Sequence, residues 1–172
     1  QWVGARNRVA PTLRVNLSAR QFEDAALAAD VGDALAASGL APERLCLEIT
    51  ETTLMRNLDH ALGVLQRLKA FGVQVALDDF GTGYGSLVYL KRLPVDVIKI
   101  DRSFVDGLPG TTADIAIVKA VFGLAESLDL EVVAEGVERA DQQLALQAIG
   151  VRRMQGWLFA KAMDQASLCA LL

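Results

Sequence analysis

The sequence predicts an α/β fold of repeated βα units, a partial TIM-like (β/α) barrel with about six of eight strands in this chain. Three observations predict it. Short apolar runs rich in β-branched residues recur along the 172 residues, as in parallel strands covered by helices. Between these runs, apolar residues recur at helical spacing, which gives an alternation of strand and helix. Each strand-like run also carries a polar or charged side chain near its end, and in a (β/α) barrel those ends converge on one mouth. A complete barrel takes roughly 250 residues, so two units are expected to be absent from this chain.

The first run, LRVNL (residues 13–17), carries Asn16 near its end. A helical stretch over residues 20–38 places Phe22, Leu27, Val31 and Leu35 on one side, and Gly39 stops it. RLCLEIT (44–50) carries Glu48, and the following helix over 58–71 spaces Leu58, Leu62, Leu65 and Leu68 before Gly72. VQVALDD (73–79) ends in Asp78 and Asp79, and VDVIKID (95–101) carries Lys99 and Asp101. A helix over 112–128 follows, with Ile115, Val118, Phe122 and Ala125 aligned. LEVVAEG (130–136) delivers Glu135, a shorter helix runs over 140–149 to Gly150, and RMQGWLF (153–159) carries Gln155. No composition break marks a linker, so residues 1–172 read as one domain.

Composition narrows the function. Hydrophobic residues make up 52% and mean hydropathy is +0.31, enough to bury a sizeable core. With a net charge of −4 and no basic cluster, a surface for DNA or RNA polymers or for anionic membranes is not expected. Cys46 and Cys169 lie far apart without metal-type spacing and read as packing residues in a reducing cytoplasm. No apolar run reaches 18 residues and the N-terminus has no signal core, so no membrane segment is expected in this chain. Attachment of the parent protein to a membrane through other domains stays open.

Adjacent carboxylates at the tip of a buried strand repel and resist desolvation, so Asp78 and Asp79 call for water, a cation or a raised pKa. Asn16, Glu48, Asp78 and Asp79 are hard oxygen ligands without His or Cys, which favours Mg²⁺ or Mn²⁺ over zinc. One carboxylate shared between two ions, with its neighbour on the second, turns the adjacency into an advantage, as in two-metal phosphodiesterases. Lys99 then orients a water or meets developing phosphorane charge; its plain alternative is an ion pair with Asp101. Any single carboxylate here also reads as a helix cap or a solvated group, but six strand ends together do not. The glycines of GTGYG (81–85) suit a gating loop rather than a phosphate cradle. Glu51 reads either as the anchor of that loop or as a helix-start carboxylate. Tyr84, Trp157 and Phe159 are candidates for stacking on a base, the last two equally for core or rim, and His60 is a surface or packing residue. A glycoside hydrolase explains the acidic pair but gives Asn16 and Lys99 no role.

VNLSARQF, LEITET, ALDDFGTGYGSL, LPVDVIKIDRSFV, VVAEGVE and QGWLF, in this order and spacing, resemble the EAL-domain phosphodiesterases, which hydrolyse cyclic di-GMP to linear pGpG. The resemblance runs from about Val15 to the C-terminus. It implies that Asn16, Glu48 and Asp78 ligate one metal, with Asp78 bridging to a second ion on Asp79. It further implies that Lys99 and Glu135 flank the attacking water, Glu135 also serving the second metal. Asp101, Glu138 and Gln155 then either face the substrate or lie behind the residues that do, and Glu51 anchors the loop. Three positions depart from the family pattern: Gly85 replaces a serine, Arg152 an aspartate and Ala162 a proline. The resemblance places the start of this chain inside the domain, after the Glu-Ala-Leu motif whose Glu is a metal ligand. By itself the chain is therefore expected to be weak or inactive, and either to cover the open edge near Leu13 to Leu17 by self-association or to be poorly soluble. The alternative function is a catalytically impaired cyclic di-GMP receptor or signalling scaffold. A homodimer or regulatory neighbour domains complete the expected partners.

Overall fold

In the computed structural model, residues 11–82, 87–110 and 112–171 are described, without the side chains of 87, 88 and 169–171. Tyr84, Gly85 and the side chain of Cys169 lie outside the described residues. Six strands, β1 (Leu13–Asn16), β2 (Leu45–Thr50), β3 (Gln74–Phe80), β4 (Val97–Ile100), β5 (Glu131–Ala134) and β6 (Arg153–Met154), form one parallel sheet in chain order. The sheet curls into a half-barrel with the helices outside it. The helices are α1 (Ala19–Phe22), α2 (Leu27–Ser38), α3 (Glu51–Met55), α4 (Leu58–Ala70), α5 (Leu87–Leu90), α6 (Arg102–Asp106), α7 (Thr112–Ser127), α8 (Ala140–Ile149) and α9 (Gln165–Leu171).

Two apolar layers follow from strand alternation. The larger core lies between sheet and helices and joins Leu47, Ile49, Leu77, Ile98 and Ile100 to Leu65 and Leu68 of α4 and Val118 of α7. Residues of the opposite parity, Cys46, Ala76, Val97 and Val133, form a separate small cluster on the concave face. Each is small, so the interior has room above and below them for the long polar side chains that share that face.

The expected helix over 20–38 is two helices. Ser18 and Gln21 form a capping box on α1, and the chain then turns at Asp24, whose carboxylate accepts the Ala26 amide at 2.9 Å. The Asp side chain offers the backbone a local alternative to the helix, and the apolar spacing continues across the break. Gly39 and Gly150 close α2 and α8 in the left-handed conformation, at φ +67° and +116°. The expected sixth strand, 153–159, shortens to two residues. Gln155 N donates to Ala134 O, but Val137 N then donates to Gln155 O and Leu158 N to Val137 O, so the chain wraps around Val137 instead of running on. A Cβ on Gly156 would lie 2.1 Å from Val137 O, so only glycine allows this approach. Among the described residues, no helix is long and apolar enough to cross a membrane.

Candidate metal and active site

Parallel register decides which strand tips meet. Asn16 pairs with Glu48 and Glu48 with Ala76, while Lys99 pairs with Val133. Glu48, Asp78, Lys99 and Glu135 thus reach the same concave mouth from β2, β3, β4 and the end of β5. Lys99 is buried among them: Nζ lies 2.5 Å from Glu48 Oε2, 3.0 Å from Asp78 Oδ1 and 2.8 Å from Glu135 Oε1. The plain alternative of a Lys99–Asp101 pair is corrected here. Asp101 instead caps α6, accepting from Ser103 N at 3.0 Å and from Ser103 Oγ at 2.5 Å.

Asp79 needs a special backbone to join Asp78. Successive strand residues face opposite sides, yet β3 shifts register against β4 between Leu77 and Phe80, and Asp79 takes φ +54°. This left-handed bulge, which Asp tolerates better than most residues, turns a second carboxylate to the mouth. The Asp79 amide donates to Asp78 Oδ1 at 3.0 Å. Carboxylate oxygens of Asp78, Asp79 and Glu135 consequently lie within 4.8 Å of one another. Asn16 and Gln155 are exposed at the rim.

The surroundings hold this geometry. Glu51, buried at the start of α3, accepts the Gly81 amide at 3.1 Å, tying down the first residue after β3. Gln142 is fully buried; its Oε1 accepts the amides of Glu138 and Arg139 at 2.9 Å each, and its Nε2 donates to Val105 O at 3.1 Å. Arg139 also donates to Leu108 O, and Glu138 pairs with Arg102 at 3.0 Å. The segment after Glu135 is thereby fixed to α6. Trp157 and Phe159 are exposed rather than core, with the Lys161 ammonium 5.3 Å from the Trp157 ring centre. His60 is exposed and meets the Phe22 ring edge-on.

Burial disfavours the Lys99 ammonium, but hydrogen bonds to Glu135 and Glu48 and the charges of Glu135 and Asp78 outweigh it and hold the pKa above the ordinary lysine value. Desolvation raises the Glu135 pKa against the pull of Lys99, and desolvation with the charges of Asp78 and Asp101 raises that of Asp79. A crowded set of hard oxygen donors, two of them resisting ionisation, fits divalent cations of the Mg²⁺ or Mn²⁺ type. Two interior residues escaped the sequence reading. Arg14 and Glu131 lie on the concave face below the mouth, where Arg14 contacts Glu48. Strand parity was the available signal, since Arg14 lies two residues before Asn16.

An acidic mouth at the strand ends of a parallel half-barrel, built around one buried lysine, defines a candidate hydrolytic metal centre. The family model for the EAL domain matches residues 1–162, beginning upstream of Val15 and ending short of the C-terminus, and the chain belongs to that family. It is 47% identical over 158 residues to the bifunctional diguanylate cyclase/cyclic di-GMP phosphodiesterase MucR of Pseudomonas aeruginosa, covering 92% of this chain. The chain spans 23% of the length of that relative. A solved PaMucR phosphodiesterase in complex with c-di-GMP superposes with a TM-score of 0.87 at 47% identity, over 90% of this chain and 63% of that one. Klebsiella pneumoniae BlrP1, in a manganese/cy-diGMP complex, gives 0.82 at 36% identity, over 87% of this chain and 38% of that one.

Proposed function

We propose that this chain, as a single domain over residues 1–172, hydrolyses cyclic di-GMP to linear pGpG with two divalent cations, Mg²⁺ or Mn²⁺, held at the mouth. The observation that carries this reading is the convergence of Asp78, Asp79 and Glu135 oxygens within 4.8 Å of one another beside the Lys99 ammonium. The likeness to a named cyclic di-GMP phosphodiesterase and to c-di-GMP complexes, one with manganese, supports the substrate and the ion class.

Asn16, Glu48 and Asp78 would hold one ion, with Asp78 shared and Asp79 and Glu135 on the other. Bound there, such ions supply Lewis-acid charge to the scissile phosphodiester and favour ionisation of the attacking water. Lys99, fixed by its carboxylate partners, presents an ammonium to the entering oxygen and to the negative charge that grows on the phosphoryl oxygens. Glu135, 2.8 Å from that ammonium and shifted toward its protonated form, is suited to accept the proton of the water. Attack in line breaks one P–O bond of the ring; the phosphate stays on one nucleotide and the departing oxygen takes up a proton, giving the linear dinucleotide. Asp101, Glu138 and Gln155 belong to the substrate side or behind it, and Glu51 anchors the loop that follows β3. A homodimer or regulatory neighbour domains in the cytoplasm complete the proposed setting.

The test is incubation of the chain, and of an N-terminally extended form, with cyclic di-GMP in Mn²⁺, in Mg²⁺ and in EDTA. Metal-dependent release of pGpG, abolished by EDTA, is expected, weak or absent from the chain alone and clear from the extended form. Tight cyclic di-GMP binding without product in any metal would make the domain a receptor, and neither binding nor turnover would overturn the reading.

A further inference from the structure

Beneath the mouth lies a charged element that the hydrolytic reading leaves unused. Arg14 directs its guanidinium into the half-barrel: Nη1 lies 3.4 Å from Glu48 Oε1 and 3.7 Å from Cys46 Sγ, and Nη2 lies 3.6 Å from Glu131 Oε1. Glu131 Oε1 is in turn 2.9 Å from Arg153 Nη1. Arg153, Glu131, Arg14, Glu48 and Lys99 therefore form one line of alternating charge from the starts of β5 and β6 up to the mouth. β1 and β5 are not neighbours in the sheet, so the guanidinium spans the concave interior like a chord. The small Cys46 beside it leaves the space it fills.

A guanidinium with 24% of its side chain exposed is tolerated when its fork meets carboxylates. At Glu48 the two cations take different oxygens: Arg14 faces Oε1 from below, and Lys99 faces Oε2. Lys99 is shared with Asp78 and Glu135 as well, whereas Arg14, among the described residues, pairs with none of the other mouth carboxylates. We propose that Arg14 is a positioning residue, holding the Glu48 carboxylate from inside the barrel in the orientation that a divalent ion at the mouth would need. This rests on the metal assignment above and adds a residue to it.

The sign of one measurement separates positioning from mere charge. A cation near a metal site repels the metal, so if Arg14 acted only through its charge, Arg14→Met would tighten divalent-ion binding. Positioning gives the opposite sign, because partners behind a ligand are worth about 10–100-fold in metal affinity. The experiment is a Mn²⁺ titration of the full chain without substrate, followed by electron paramagnetic resonance, with melting in EDTA as a check on folding. Arg14→Met is expected to weaken Mn²⁺ binding about tenfold. Arg14→Lys, the milder change should the methionine variant fail to fold, is expected to weaken it as well, since a single ammonium cannot span Glu48 and Glu131. Unchanged or tighter binding in Arg14→Met, or parity of Arg14→Lys with the parent, would overturn the inference. A parent chain that binds no Mn²⁺ overturns the metal assignment together with it. Mn²⁺ binding without cyclic di-GMP hydrolysis sinks only the proposed activity, and the titration still decides the role of Arg14.

Discussion

The Lys99 ammonium lies 2.5 Å from Glu48 Oε2, and with only 3% of the Lys99 side chain exposed this is the most deeply buried ion pair among the described residues. Lys99 is the counter-ion shared by Glu48, Asp78 and Glu135. Lys99→Met should therefore destabilise the metal-free domain by about 3–5 kcal/mol, the cost of leaving buried charges without their partner. Added Mn²⁺ should restore much of that loss while turnover stays low. Melting curves in EDTA and in Mn²⁺ check both; equal melting temperatures for parent and variant in EDTA would refute the counter-ion role.

Asp78 carries a second consequence. Asp78→Asn keeps the side-chain shape and can still accept the Asp79 amide, which it holds at 3.0 Å in the parent, so the fold should survive. A neutral amide does not hold two cations, so hydrolysis by an N-terminally extended domain should fall by at least about a hundredfold. Near-parental pGpG release from that variant would remove the shared-ligand assignment.

Gln142 tests the support behind Glu135. Gln142→Leu fills the same volume but strips two amides and one carbonyl of their partner, and a destabilisation of about 2–3 kcal/mol is expected. Denaturant unfolding measures it. A change under half a kcal/mol would mean that water replaces the lost bonds.

Cys46 supplies a pH prediction. Desolvation pushes its thiol from 9.0 to about 11, so at pH 8 the folded protein should hold about a hundredfold less thiolate than the unfolded chain. Alkylation at Cys46, read by peptide mass spectrometry, should be slow in the native state and fast in denaturant. The folded state binds the proton more tightly, so this contribution to stability is full below pH 9 and is lost as pH rises through about 11. Native-state alkylation as fast as in denaturant would contradict the burial argument.

Much of the fold was legible in the chain because its signals are local. Five of the six runs become strands within a residue or two of their expected ends, and Gly39 and Gly150 stop helices where the spacing stops. What failed was decided by neighbours. RMQGWLF is apolar enough for a strand, yet Val137 captures its backbone after Met154. The Asp24 turn that splits α1 from α2 leaves the apolar spacing intact, and so is invisible to it.

Alternation and helical period are properties of the local backbone, so the βα order, the buried faces and the set of polar residues at strand ends were written along the chain. The tertiary structure alone decided which of those residues touch. Register brought Lys99 against Glu48 across 51 positions of chain, a left-handed bulge turned Asp79 beside Asp78, and the curl of the sheet carried Arg14 from β1 to Glu131 on β5. Those contacts depend on strand stagger and sheet curvature, which arise only when all six strands pack together, and no single stretch of sequence encodes them.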